Sequence, residues 1–441
     1  MMNYIKKETY TNSLKTLFTL ISEMSTRSSL FSVDSSKDFI RNRILNFKDT
    51  LTIILGMAGG SLNKEIYDYF KCKPFMPTAS AFVQARAKIL PEAFQYLFTE
   101  FNREYSVSKK HNGYQLLAAD GTDLNIPKNP HDEETYFDQG FNQLHINALY
   151  DLLDRVYVDA QIQGKRKTNE IEALCQMIRR HRFDTKSILI ADRGYECFNL
   201  FELCNRTQNL DYLIRVKNKS IKEIAVLPME EFDKDISIEI RTTQTKADKE
   251  AYKNGTAHYL SGKSKFGKYK VSQTWDFESK CMVNLRVVRF KITKDTYETI
   301  VTSLNRFEFG IEEIKYLYHL RWGIETSFRE LKYALGLVNL HSKRKDFIIQ
   351  EIWARLIIYN FAERIMQSVV IKQDNNRKWS YQVNFTMGFY ICMEYFRHPD
   401  IHSPPELENL IARYILPIRP DRSDQRKLKP KSVIPFIYRV A

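Results

Sequence analysis

Apolar and polar residues recur with a helical period through residues 1 to about 108 and change to a strand period at Tyr114. Asp38 to Phe47 carries charge on one side and Thr50 to Met57 is apolar, so both read as helical stretches. Ser61 can cap a helix over Leu62 to Phe70; after the turn KCKPFMP, Thr78 can cap a second, from Ala79 to about Ile89, bearing Gln84, Arg86 and Lys88. Two capped helices about a turn are helix-turn-helix-like, which predicts a helical DNA-binding domain over residues 1–110. The polar stretch from Ser106 to Gly113 marks its boundary.

Beyond that boundary, Gln115 to Ala119, His145 to Tyr150 and Arg155 to Gln161 are short runs rich in β-formers. Thr168 can cap a helix through about His181, Ser187 to Ala191 reads as an apolar strand, Glu196 to Arg206 as a helix, and Tyr212 to Val216 as another strand. Three strands, helix, strand, helix, strand is the order of an RNase H-like sheet, so the expected fold class is α/β: a mixed sheet with flanking helices. Residues 111–217 form the first part of this core, with Asn125 to Gln143 as a long polar loop.

In residues 218–304 the alternating runs Ile236 to Thr242, Ala257 to Leu260, Val283 to Ile292 and Tyr297 to Leu304 predict a β-rich insertion. A single helix from Ile311 to about Leu337 returns the chain to the core, whose second part spans 305–375. Helical patterns continue over Ile349 to Val370 and Tyr381 to Phe396, and residues 376–441 form a helical region that ends in a basic, proline-bearing tail from Arg419.

Composition narrows the partners. With 67 Lys and Arg against 53 Asp and Glu, the 441-residue chain carries a formal charge of +14, which suits a polyanion such as nucleic acid. No apolar run approaches the roughly 20 residues of a membrane span, and the start lacks an apolar signal segment; no membrane partner and a cytoplasmic location are expected. The six cysteines, Cys72, Cys175, Cys197, Cys204, Cys281 and Cys392, show no CxxC pair and read as reduced and structural.

Three motifs carry candidate chemistry. LLAADGTDL delivers Asp120 to the end of the first strand, and SILIADRGY delivers Asp192 to the end of a later one. Taken alone, each reads equally as a turn or helix-capping aspartate. In and beside YHLRWGIETSFRELK, Leu317, Leu320, Ile324, Phe328, Leu331 and Leu335 recur at 3.6-residue spacing and face a core. Tyr318, Arg321, Glu325 and Lys332 form a second stripe on the shoulder of that face, where a surface Arg321–Glu325 pair would explain neither Tyr318 nor Lys332. Three carboxylates brought together repel unless a cation joins them, and oxygen ligands select magnesium or manganese over zinc. Two such ions suit an in-line phosphodiester displacement.

Tyr318, Arg321, Glu325 and Lys332 match a Y-x2-R-x3-E-x6-K signature, and DGT and DRGY resemble the two aspartate motifs, of DDE transposases encoded by bacterial insertion sequences. The likeness runs from about residue 36 to about 400. It implies an RNase H-like core, two Mg2+ ions for which Mn2+ can substitute, cleavage at element ends and strand transfer by the freed 3′ hydroxyl. Carried over, Asp120, Asp192 and Glu325 are catalytic metal ligands, and Tyr318, Arg321 and Lys332 contact DNA phosphates. The partners implied are double-stranded DNA, as terminal inverted repeats and as target, and a second copy of the chain on that DNA. Tyr297 falls near the place where some relatives stack an aromatic ring on a flipped base, although one residue of register decides between it and Glu298. Arg215 and Lys217 either line a DNA channel or are solvated. Asp123 reads as a loop cap, His145 as structural and Trp322 as packing. An RNase H-like nuclease without strand transfer and an inactive DNA-binding descendant are the alternatives.

Overall fold

The computed structural model describes residues 2–41, 43–71, 75–137, 141–260, 275–293, 296–373, 378–400, 404–419 and 437–438. Cys72 and most of the basic tail lie outside the described residues. The chain begins with helices α1 (Met2–Thr26), α2 (Phe47–Gly56), α3 (Leu62–Phe70), α4 (Ala79–Arg86) and α5 (Pro91–Arg103). Strands and helices then alternate: β1 (Gln115–Ile126), β2 (Tyr136–Phe137), β3 (Phe141–Asp151), β4 (Val156–Gly164), α6 (Glu170–Arg180), β5 (Ser187–Ala191), α7 (Phe198–Arg206) and β6 (Leu210–Val216). Next come α8 (Lys222–Ala225), β7 (Phe232–Arg241), α9 (Lys246–Lys253), β8 (His258–Tyr259), β9 (Lys280–Thr293), β10 (Thr296–Thr302), α10 (Ile311–Leu320) and α11 (Trp322–Arg329). A π turn, Glu330–Ala334, leads to β11 (Asn339–Leu340), α12 (Lys345–Ser368), β12 (Tyr381–Val383), α13 (Phe385–Arg397), α14 (Pro404–Ala412), β13 (Ile415–Pro417) and β14 (Ile437–Tyr438).

These elements divide into two units, one of Val107–Asp123 with His145–Thr326, the other of Met1–Ser106, Leu124–Leu144 and Ser327–Ala441. The first is built on a sheet in which β4, β3, β1, β5 and β6 lie in that order, with β5 parallel to both β1 and β6. That is an RNase H-like mixed sheet, and helices cover both its faces. On one face Leu116, Ile188, Ile190, Leu213 and Ile300 pack with Ile314 and Leu317 of α10; on the other Leu117, Leu189, Tyr212 and Val301 pack with Leu174 of α6 and Phe201 of α7. Burial on both faces explains why β5 is buried at every residue and apolar from Ile188 to Ala191.

Between residues 218 and 304 the strands prolong this sheet. β10 runs antiparallel to β6, β9 to β10 and β7 to β9. α9 interrupts them as a helix that alternation did not suggest; its start is held by a capping box between Thr245 and Asp248. β1 is also longer than expected. The polar run after Ala119 stays in the strand as far as Ile126, because the neighbouring β3 continues to pair it.

The helix expected from Ile311 to Leu337 is two helices and a π turn. The chain tightens at Arg321, where the Arg321 and Ile324 amides donate three residues back, to Tyr318 and Arg321. Gly323 sits at this break, and a Cβ there would come within 2.9 Å of Leu152. Gly336, at φ +69°, ends the π turn in the left-handed conformation that glycine adopts without strain.

The other unit gathers helices around α12, which packs against α5, α1, α2 and α13 and is buried along nearly its whole length. Among the described residues, Asp38 to Asn46 is not helical. Phe39 has φ +57°, which a helix excludes, and Asn46 caps α2 one residue before it begins. Ser61 and Thr78 cap α3 and α4 as expected. Arg86, however, is not a surface residue of α4: it is 1% exposed and paired with Glu351 of α12. Lys88 reaches Asp38, at 3.6 Å. Of Gln84, Arg86 and Lys88, Gln84 alone is exposed.

Candidate active site

The parallel ladder places the two aspartates side by side. Gln115 through Ala119 of β1 pair in order with Ser187 through Ala191 of β5, so the residue that follows each paired run is an aspartate, Asp120 in β1 and Asp192 just past the end of β5. Neighbouring strands lie about 4.8 Å apart. Side chains alternate along a strand, and Leu116, Ile188 and Ile190 face α10, so Asp120 and Asp192 project to that same face. Each carboxylate is oriented by a glycine amide: Gly121 donates to Asp120 Oδ1 at 2.8 Å, and Gly194 to Asp192 Oδ1 at 2.7 Å. Asp192 is thus also the cap of a short 3-10 turn, Arg193–Tyr195, so the capping and catalytic readings of this residue are compatible.

Glu325 comes to the aspartates through Arg321. The Arg321 guanidinium lies 3.7 Å from Asp120 Oδ2 and 3.1 Å from Glu325 Oε1. It is 5% exposed, lies 4.8 Å from the Trp322 ring and 5.7 Å from that of Tyr318, and its Nε makes no hydrogen bond. Burial alone would lower its pKa; Tyr318, Glu325 and Asp120 outweigh burial and raise it. Burial pushes the Asp120 carboxyl up to about 6, opposed by Gly121 and Arg321 and reinforced by the charges of Asp192 and Glu325. Burial likewise raises the Tyr318 hydroxyl.

The donors offered are carboxylate oxygens, the set that magnesium and manganese prefer. Among the described residues no three Asp, Glu, His or Cys side chains stand close enough to hold one ion. Arg321 occupies the cation's electrostatic place between two of the three carboxylates, so the set fits a divalent ion by donor chemistry and by charge.

The remaining sequence candidates are dispersed. Arg215, on β6, pairs with Glu298 of β10 at 3.0 Å and neighbours the Tyr318 hydroxyl. Ile300, on the α10 face, has the same parity as Glu298, so Tyr297 projects to the opposite face of β10 and is not brought to the carboxylates. Lys217 is exposed just beyond β6. Lys332 lies half-buried in the π turn, which belongs to the other unit. Sequence reasoning missed one residue beside the site. Glu170, in the first turn of α6, reads as an ordinary helix-start acid, and only the fold places it against Gly121.

Among the described residues, no helix is long and apolar enough to cross a membrane. The transposase InsG of insertion sequence element IS4 from Escherichia coli (strain K12) is 23% identical over 381 residues, covering 81% of this chain and 78% of that protein. A cryo-EM structure of a piggyBac transposase synaptic complex with hairpin DNA matches with a TM-score of 0.44 and 9% identity, over 97% of this chain and 88% of that one. The family model for the transposase DDE domain matches residues 111–361. That stretch is more than half of the chain and holds β1, β5 and α11 with all three carboxylates, so this protein belongs to the DDE transposase family.

Proposed function

We propose that this transposase cuts DNA at the ends of an insertion sequence and joins the freed 3′ hydroxyls to target DNA, with Asp120, Asp192 and Glu325 holding two magnesium ions. The observation that supports it most is the register of β1 with β5, which sets two aspartates on adjacent strands of the face that also carries Arg321 and Glu325. Magnesium ions bound there supply a polarised phosphate and an activated attacking oxygen for in-line displacement, and manganese can replace them. Gly121 and Gly194 hold the aspartate oxygens in fixed directions, and Arg321 bridges Asp120 and Glu325.

Tyr318, Arg321 and Lys332 contact phosphates near the cut, with Arg321 as a planar fork and Lys332 as a point charge. Lys217, exposed at the end of β6, contacts the DNA backbone further away. Residues 1–110 bind the terminal inverted repeats, residues 111–217 with 305–375 form the catalytic core, residues 218–304 are its β-rich insertion, and residues 376–441 are a helical region with a basic tail. The protein acts on double-stranded DNA as a homodimer.

Joining separates this reading from a nuclease of the same fold. Purified protein with magnesium, pre-cut element ends and a supercoiled target plasmid gives products in which end and target strands are covalently linked. Cleavage without any linked product, across a range of salt, rejects strand transfer.

Lys332→Ala lowers cleavage by about tenfold or more while end binding falls only slightly. One phosphate contact is a small share of total affinity but helps position the scissile strand. Equal losses in a gel-shift and a nicking assay would make Lys332 an ordinary binding residue.

A further inference from the structure

Behind Asp120, on the other face of the sheet, lies a group of charges that the proposed chemistry does not use. His145, the first residue of β3 in this unit, has a side chain only 4% exposed. Its Nδ1 is 2.6 Å from Asp123 Oδ1, and its Nε2 is 3.0 Å from Glu170 Oε1. Lys165 completes the group, with Nζ 2.7 and 2.8 Å from the two oxygens of Asp123. Burial would lower the His145 pKa, but Asp123 and Glu170 outweigh it and raise it. Two basic side chains, His145 and Lys165, therefore lie against the carboxylates of Asp123 and Glu170.

Its place is what matters. A Cβ on Gly121 would run into His145 Nε2 and come within 2.9 Å of Glu170 Oε1, so the imidazole and carboxylate press directly on the Gly121 backbone. The amide of that glycine is the donor that orients Asp120. The second oxygen of Glu170 lies 3.8 Å from the Cβ position of Gly194, whose amide orients Asp192. One helix-start glutamate thus stands beside both glycines, and one buried histidine ties it to β1 through Asp123.

We propose that His145, held between Asp123 and Glu170, is a positioning residue that sets the carboxylates of Asp120 and Asp192 through Gly121 and Gly194. The inference rests on the reading of those aspartates as metal ligands. A group that only stabilised β1, β3 and α6 would affect folding and leave ion affinity alone. A positioning group controls affinity in the folded protein, where losing a partner behind a ligand costs about tenfold to a hundredfold.

The test is Mn2+ binding to the full chain without DNA, followed by the loss of the free-ion electron paramagnetic resonance signal, with circular dichroism melting alongside. His145→Ala and Gly121→Ala each weaken Mn2+ binding by about tenfold or more while the protein remains folded at the assay temperature. Glu170→Gln, whose side chain is 38% exposed in the parent, weakens it less, by about threefold to tenfold. Asp120→Asn is the ligand control. If it binds Mn2+ like the parent, the ions are elsewhere, and both the active-site reading and this proposal fall. If it loses binding but the His145, Gly121 and Glu170 variants keep the parent's affinity, only the positioning role is overturned. Should His145→Ala and Gly121→Ala not fold, Glu170→Gln decides alone, and unchanged affinity in it rejects the proposal.

Discussion

Replacing Asp120, Asp192 or Glu325 singly by alanine lowers strand cleavage by about a thousandfold or more and leaves binding to element ends largely intact. Losing a charge that is preorganised for the transition state typically costs 10²–10³ in rate, and a lost metal ligand removes the ion's contribution with it. At about 1.4 kcal/mol per factor of ten, a thousandfold loss corresponds to roughly 4 kcal/mol of barrier. Binding survives because affinity for DNA is spread over many phosphate contacts. Glu325→Gln is the more stringent companion variant, since it keeps the side chain's shape beside Arg321 while removing its charge. The measurement is magnesium-dependent nicking of labelled end duplexes beside a gel shift on the same duplexes. Cleavage retained by any one variant would remove that residue from the site.

Arg86→Ala destabilises the helical unit by about 3–5 kcal/mol, the usual consequence of leaving a buried ion without its partner. The Arg86 guanidinium donates to Gln350 Oε1 at 2.8 Å, Glu351 Oε1 at 2.9 Å and the Phe347 carbonyl at 2.5 Å, all on α12. Glu351 also accepts from the His341 amide, at 3.3 Å. Burial alone would raise the Glu351 pKa; Arg86, His341 and Arg355 outweigh it and bring it down to about 2, from an ordinary value of 4.5. A carboxylate with a depressed folded pKa stabilises the fold above its unfolded pKa, and that contribution is lost as pH falls through the folded pKa. The stability gap between parent and Arg86→Ala is therefore widest above pH 4.5 and narrows toward pH 2. Urea unfolding at a series of pH values measures it. A gap below about 1 kcal/mol at neutral pH would show that α4 is not held to α12 by this pair.

Much of the candidate site was legible because it depends on local order along the chain. The apolar runs before Asp120 and Asp192 demand strands, and the 3.6-residue spacing from Leu317 to Leu335 demands a helix, so carboxylates beside those runs are placed by periodicity. The strand–helix alternation from Gln115 to Val216 likewise specifies the sheet class, because parallel strands require crossover helices. Those features belong to the sequence by itself.

What pairs across the fold was decided only in three dimensions. Nothing local states that Ala119 lies opposite Ala191, yet that register sets Asp120 beside Asp192. The continuation of β1 past Gly121 depends on β3, and the break at Arg321 depends on local tightening near the close approach of Gly323 to Leu152. Charge misled most where burial reversed its meaning. Arg86 has the sequence context of a DNA-reading residue, but Glu351, 265 positions away, makes it a core ion pair. His145 reads from the sequence only as a structural residue and Glu170 only as a helix-start acid, because their significance lies in facing Gly121 from β3 and α6, and local pattern cannot tell which elements will lie alongside.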